Sequence, residues 1–281
     1  MSAFGATRSL VRFSTQSRPP LCWSATGRCC GAKLGGQHTW IGKTDVIDVI
    51  MEDRVEVQSQ EKAVLLSRSG GKDSCMALRE VQRTTNIRVE ALLTTITRDF
   101  DRISMHGVRR ILLERQAASL GIPLHQIFIS KGASNEEYEV KMGDAFSEYR
   151  NRGIDTVVFG DLFLEEIRAY RERLIAKHNM ASLYPVWGRD TSKLIKDFIS
   201  LGFKTAIVCV DPAKLDPSFV GRVIDGDLLT QLPPHVDPCG ENGEFHTFVF
   251  DGPIFKNPVN FSFGEIVCRD SFWFCDLLPA Q

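Results

Sequence analysis

From Lys62 onward, short apolar runs alternate with longer stretches in which apolar residues recur at helical spacing. Runs of strand length, rich in β-branched or aromatic residues, occupy positions 63–66, 89–96, 125–129, 156–159 and 205–210. Between them, 109–120 has the apolar spacing of a helix and stops at Gly121 with Pro123 beyond. Gly153 and Gly202 close two further helical stretches. This alternation predicts βα units, so the expected fold class is α/β, a doubly wound parallel sheet. After Val210 the pairs Asp211-Pro212, Asp216-Pro217, Pro233-Pro234 and Asp237-Pro238 interrupt the pattern, and strand-like runs resume at 245–250, 259–267 and 272–277. A smaller C-terminal β-rich lobe is expected there. The organisation predicted is a leader and linker over 1–60, an α/β domain over 61–211 and a second lobe over 212–281.

Composition narrows the function classes. The chain has 281 residues with 34 basic and 35 acidic side chains, a formal net charge of -1. No global positive field draws it to nucleic acid, which would need a local basic patch. No apolar run approaches the roughly 18 residues of a membrane span. Residues 1–43 lack Asp and Glu and carry Arg8, Arg12, Arg18, Arg28, Lys33 and Lys43. That composition is similar to an organelle transit peptide, and equally to a disordered leader or to sequence upstream of the true start. The expected location is cytoplasmic, with a mitochondrial alternative if the leader is a targeting signal. Eight cysteines are scattered with no CxxC spacing. Reduced thiols are expected, with Cys75, Cys209, Cys268 and Cys275 as small core residues.

The run Ser69-Gly70-Gly71-Lys72-Asp73-Ser74 lies between a predicted strand and a predicted helix. Glycines there let backbone N–H groups turn inward, and the helix N-terminus adds partial positive charge, which together make an anion site. The spacing is too short for a Walker A loop. It resembles instead the PP-loop of the adenine nucleotide α-hydrolase superfamily, with its HUP-like fold, whose enzymes cleave ATP between the α- and β-phosphates. On that resemblance, backbone amides around Gly70 and Gly71 and the hydroxyls of Ser69 and Ser74 bind pyrophosphate, and Lys72 adds charge. Asp73 either orients a magnesium-bound water or caps the helix.

The resemblance extends from Lys62 to the C-terminus. Met105-His106-Gly107-Val108-Arg109, Phe159-Gly160-Asp161, Trp187-Gly188-Arg189-Asp190 and Gly240-Glu241-Asn242-Gly243-Glu244-Phe245-His246-Thr247 resemble motifs of the diphthine–ammonia ligase family. Membership implies an ATP-dependent amidation, with ATP and magnesium as cofactors, a carboxylate substrate and ammonium as nitrogen source. Family ligases acting on the modified histidine of elongation factor 2 tend to carry Glu-Gly-Gly-Glu-Phe-Glu-Thr at 241–247. The stretch 161–172 resembles a bacterial-type branch associated with cobalamin metabolism. The acceptor is therefore open between a modified protein side chain and a small molecule.

Gly160 and Asp161 stand at the carboxyl end of a predicted strand, where open α/β sheets bind ligands. Asp161 is a candidate for ribose, metal or substrate, or a helix cap. Glu241, Glu244 and His246 gather two carboxylates and an imidazole in a Gly-rich turn, suited to taking a proton from ammonium or holding metal. His106 is a candidate nucleotide contact or a structural histidine. Arg168, Arg171, Arg173 and the Arg109-Arg110 pair are candidate anion partners or solvated surface. The segment 187–190 either closes the site or caps a helix through Asp190. Competing readings are a tRNA-modifying PP-loop enzyme and a sensor that binds ATP or AMP without turnover. Oligomeric state stays open, a homo-oligomer included.

Overall fold

The computed structural model describes residues 61–280; the leader and linker expectations lie outside them. The order is β1 (Lys62–Ser67), α1 (Lys72–Gln82), β2 (Ile87–Thr97), β3 (Arg102–Ile103), α2 (Arg110–Leu120), β4 (Leu124–Ile129), α3 (Asn135–Asn151), β5 (Thr156–Val158), α4 (Glu165–Ala176), β6 (Ala181–Leu183), α5 (Thr191–Ser200) and β7 (Lys204–Val210). A 3-10 turn (Pro217–Phe219), α6 (Gly226–Gln231), β8 (Phe245–Asp251), β9 (Phe261–Arg269) and β10 (Phe272–Pro279) complete the chain.

The first sheet is the predicted doubly wound one. Its parallel strands lie in the order β4-β2-β1-β5-β6, with short β3 antiparallel on β2. Strand alternation separates two cores: Val64 and Leu66 of β1 face α1, α2 and α5, while Leu65 between them faces α3 and α4. The chain winds outward from β1 to β4, then returns to the other side of β1 as β5. The carboxyl ends of β1 and β5 therefore flank the crevice where such sheets bind ligands.

The second sheet is antiparallel, in the order β8-β7-β10-β9. Here the structure corrects an expectation: β7 does not join the parallel sheet but pairs with β8 and β10. Its run from Thr205 to Val210 is buried throughout and so reads like any central parallel strand. Its partners lie far along the chain, where a local pattern carries no signal. Sheet membership thus changes at Lys204, ahead of the expected boundary at 211. A second correction concerns Cys268, which is exposed on the edge strand β9, whereas Cys75, Cys209 and Cys275 are buried as expected. No helix among the described residues is long and apolar enough to cross a membrane.

Candidate active site

The phosphate loop leaves the end of β1 and enters α1 through Gly71, whose extended backbone forms the N-cap. Close packing explains its glycines. A Cβ on Gly71 would lie 3.1 Å from His106 Cε1 and 3.2 Å from the Thr247 carbonyl. One on Gly160 would come within 2.8 Å of the Asp73 carbonyl carbon and the Ser74 nitrogen. Gly70 has φ +82°, the left-handed region glycine tolerates best, and its carbonyl accepts from Val249 N at 3.0 Å and Gln116 Nε2 at 3.1 Å. Loops after β1, β3 and β5 and the strand β8 therefore converge on the first turn of α1, where unpaired N–H groups and the helix dipole favour an anion.

Side chains of this turn are partly committed. Ser74 Oγ donates to the Gly71 carbonyl at 2.9 Å, and Ser69 Oγ accepts from Gly71 N at 3.4 Å. Lys72 is buried and its Nζ reaches Asp73 Oδ2 at 2.9 Å. Burial opposes the lysine charge, but Asp73 first, then Cys239 and Glu241, together outweigh it and raise the Lys72 pKa, keeping it cationic. Asp73 is not the helix cap, because no side chain caps α1. Its Oδ1 is buried without a partner.

The turn before β8 brings the second group. Glu241 Oε1 accepts from Leu162 N at 2.8 Å, joining this turn to the loop after β5. Burial, opposed by that bond and reinforced by Asp73, pushes the Glu241 carboxyl up to about 7, the range of a working acid or base. Glu244 is buried and points into its own turn, accepting from Asp237 N at 3.0 Å and Asn242 Nδ2 at 3.2 Å. Both bonds use Oε1 and anchor the turn, while Oε2 is buried without a partner. His246 and His106 face each other with ring centroids 4.7 Å apart. Burial and nearby positive charge lower them to about 4 and about 3, so both are neutral at physiological pH. The carbonyl of Thr247 can only accept, so its 3.1 Å contact with His106 Nδ1 places the proton there and leaves Nε2 as an acceptor.

Asp161 is likewise not a cap, since Leu164 occupies that position of α4. It accepts from Arg171 Nη2 at 3.1 Å, with Arg171 Nε at 2.9 Å too bent for a second hydrogen bond. Arg168 is held against the rings of Tyr184 and Trp187, and Arg173 is exposed. Asp190 is the cap of α5, accepting from Lys193 N at 2.7 Å, while Arg189 pairs with Glu80 at 2.8 Å. Among the described residues no cluster of three or more His, Cys, Asp or Glu could hold a metal ion by itself.

Several contributors escaped sequence reading. Thr247 Oγ1 accepts from Lys72 N at 3.1 Å, fixing the loop from the second sheet. Buried Arg68 bonds Gln116 Oε1 and Cys75 Sγ, each at 3.0 Å, behind the loop. Asp276 binds Arg109 through two bonds and Arg102 through one, and Arg102 also donates to the Gly107 carbonyl at 2.7 Å. These arginines hold Asp276 at about 2 and clamp the His106 loop to β10. Only Thr247, inside the 240–247 motif, had a signal that could have found it. The resulting cleft, about 240 Å3, is lined by Ser69, Thr94, Met105, His106, Arg171 and His246, among others.

Comparison with known proteins gives this geometry a family. The N-terminal domain model of diphthamide synthase matches residues 61–182, and its C-terminal domain model matches 190–277. The chain belongs to the diphthamide synthase family. A human relative called diphthine–ammonia ligase is 24% identical over 72% of this chain and 84% of its own length. The zebrafish protein of that name is 26% identical, over 68% of this chain and 83% of its own. A fission yeast (Schizosaccharomyces pombe) protein, also so named, is 25% identical over 74% of this chain and 38% of its own length. The diphthamide synthase models meet between residues 182 and 190, before the sheet changes at Lys204.

Proposed function

We propose that this diphthamide synthase-family protein is an ATP-dependent ligase that adenylates a carboxylate, releases pyrophosphate and forms an amide with ammonia. The convergence of glycines and buried Lys72 on the first turn of α1 carries the reading, because it concentrates N–H dipoles and one positive charge where a pyrophosphate would leave. A carboxylate oxygen bonds to the α-phosphorus as the bond to the pyrophosphate oxygen breaks. Ammonia then bonds to the acyl carbon, AMP departs with the electron pair of the acyl–oxygen bond, and the surplus ammonium proton goes to a base. Glu241, held near 7, is suited to accept that proton. His106 and His246, neutral beside Lys72, are suited to hydrogen bonding with the nucleotide without adding charge.

Magnesium fits this donor set modestly. Asp73 Oδ1 and Asp161 Oδ2 are both buried without a hydrogen-bond partner, but the Asp161 charge is already paired with Arg171, so Asp73 would add one protein oxygen to an ion held mainly by phosphate. Bound there, the ion would neutralise charge on the leaving group. The relatives' name supports diphthine as the acceptor. The test is to supply elongation factor 2 bearing diphthine with 18O in its carboxylate, together with ATP, magnesium and ammonium. An acyl-adenylate path transfers one 18O to AMP; AMP free of label would refute it.

A further inference from the structure

Past Met105 and His246 the nucleotide cleft continues into a second groove of about 220 Å3, lined by these two residues with Arg269, Asp270, Phe272 and Phe274. The shared pair makes one path from the phosphate loop to the turn of the β9–β10 hairpin. Strand register explains the lining. Phe272 lies opposite Arg269 and Phe274 opposite Val267, so these side chains project from one face of the hairpin. That face is held against the His106 loop: a Cβ on Gly107 would lie 2.7 Å from the Phe274 ring.

The facing wall is Met105. It is 69% exposed and has φ +65°, an unfavourable backbone region for a non-glycine residue. A large apolar side chain is thus presented to the groove from a strained position instead of being folded into the core. The groove's middle is two aromatic rings and a thioether, surfaces that favour a flat ring. Its charges are Arg269, the last residue of β9, and Asp270 in the hairpin turn beyond it.

We propose that this groove is the acceptor subsite, taking a carboxylate on a short stem that ends in an aromatic ring. The carboxylate would lie at the His246 end, the ring between Met105 and the two phenylalanines, and polar parts of the acceptor beside Arg269 and Asp270. This inference rests on the adenylation reading, and its test separates the two. The probes are acetyl-sulfamoyl adenosine and 3-phenylpropanoyl-sulfamoyl adenosine, stable analogues of an acyl-adenylate that differ only in the stem. Their Kd values are measured on the full chain by calorimetry.

The wild type should bind the phenylpropanoyl compound roughly tenfold more tightly than the acetyl compound, from the apolar area buried by the ring. Phe272→Ala and Met105→Ala should each shrink that preference to about threefold or less, and Phe272→Ala, which lies outside the nucleotide cleft, should leave the acetyl Kd unchanged. Met105 is exposed, so its variant keeps the test valid should Phe272→Ala fail to fold. A preference that survives in Met105→Ala, or is missing in the wild type although the acetyl compound binds, overturns the subsite. Failure of both compounds to bind, or acetyl binding indifferent to Lys72→Ala, overturns the adenylation reading and the subsite with it.

Discussion

The loop at 69–74 and the turn at 237–247 meet at one end of α1, yet they are built in opposite ways. The first works through backbone: glycines, a helix start and a single buried lysine, all consecutive in sequence. The second works through side chains whose protonation is set by their surroundings, and those surroundings depend on β8 pairing with β7 and on Glu241 reaching Leu162. The residues proposed to bind the anion are thus consecutive in sequence, whereas the acid–base behaviour proposed for the turn depends on contacts made only in the folded chain. Changes to the first should remove affinity for phosphate, and changes to the second should alter pH dependence.

The sharpest break in this contrast is Lys72→Ala, which should lower AMP formation by about 10²–10³-fold, the usual cost of removing one preorganised charge from a transition state. Rate assays at saturating and limiting ATP check it. Glu241→Gln should lower turnover by about 10²-fold and abolish the rise in rate as pH passes through 7, since a glutamine has no proton to lose. Stability should respond in the opposite sense. Because the folded-state carboxyl sits near 7 against an ordinary 4.5, the folded protein retains a proton that the unfolded chain releases between those values. Stability contributed by this group therefore falls as pH rises from 4.5 to 7, and denaturant titrations of Glu241→Gln should show that fall reduced.

Gly160→Ala tests whether the two regions share one wall. Its Cβ would overlap the Asp73 and Ser74 backbone, which is not a flexible neighbour, so a loss of about 1–3 kcal/mol is expected together with weaker ATP binding. Thermal melts and ATP titration read both. Thr247→Val should cost about 1 kcal/mol or slightly more, as the Lys72 N–H loses its acceptor in a buried place. Smallest of all, Asp276→Asn should cost under about 1 kcal/mol, its pairs being partly solvated, while raising the ATP Kd a few-fold by loosening the His106 loop.

Legibility in the sequence followed the same division. Strands β1, β2, β4 and β5 and helix α2 announce themselves through period and stop residues within a few positions. The glycine loop needed only its neighbours to be read as an anion site. Strands β3 and β6, two and three residues long, are too short for any period to register. The placement of β7 was not legible because a fully buried run looks alike in either sheet. Asp73 and Asp161 kept a capping alternative in sequence that the actual caps, Gly71 and Leu164, remove. Gly160 read as a strand end, but its reason, contact with the α1 backbone, involves residues about ninety positions earlier. Glu241 and Glu244 look equivalent in the motif; only folding makes one a bridge to Leu162 and the other an anchor of its own turn.

The central claim is that this loop holds ATP for cleavage between the α- and β-phosphates. The most direct test supplies ATP labelled at the α-phosphate with magnesium, ammonium and diphthine-bearing elongation factor 2, and separates the labelled products. The account predicts labelled AMP from the wild type and almost none from Lys72→Ala. Labelled ADP in its place would contradict it.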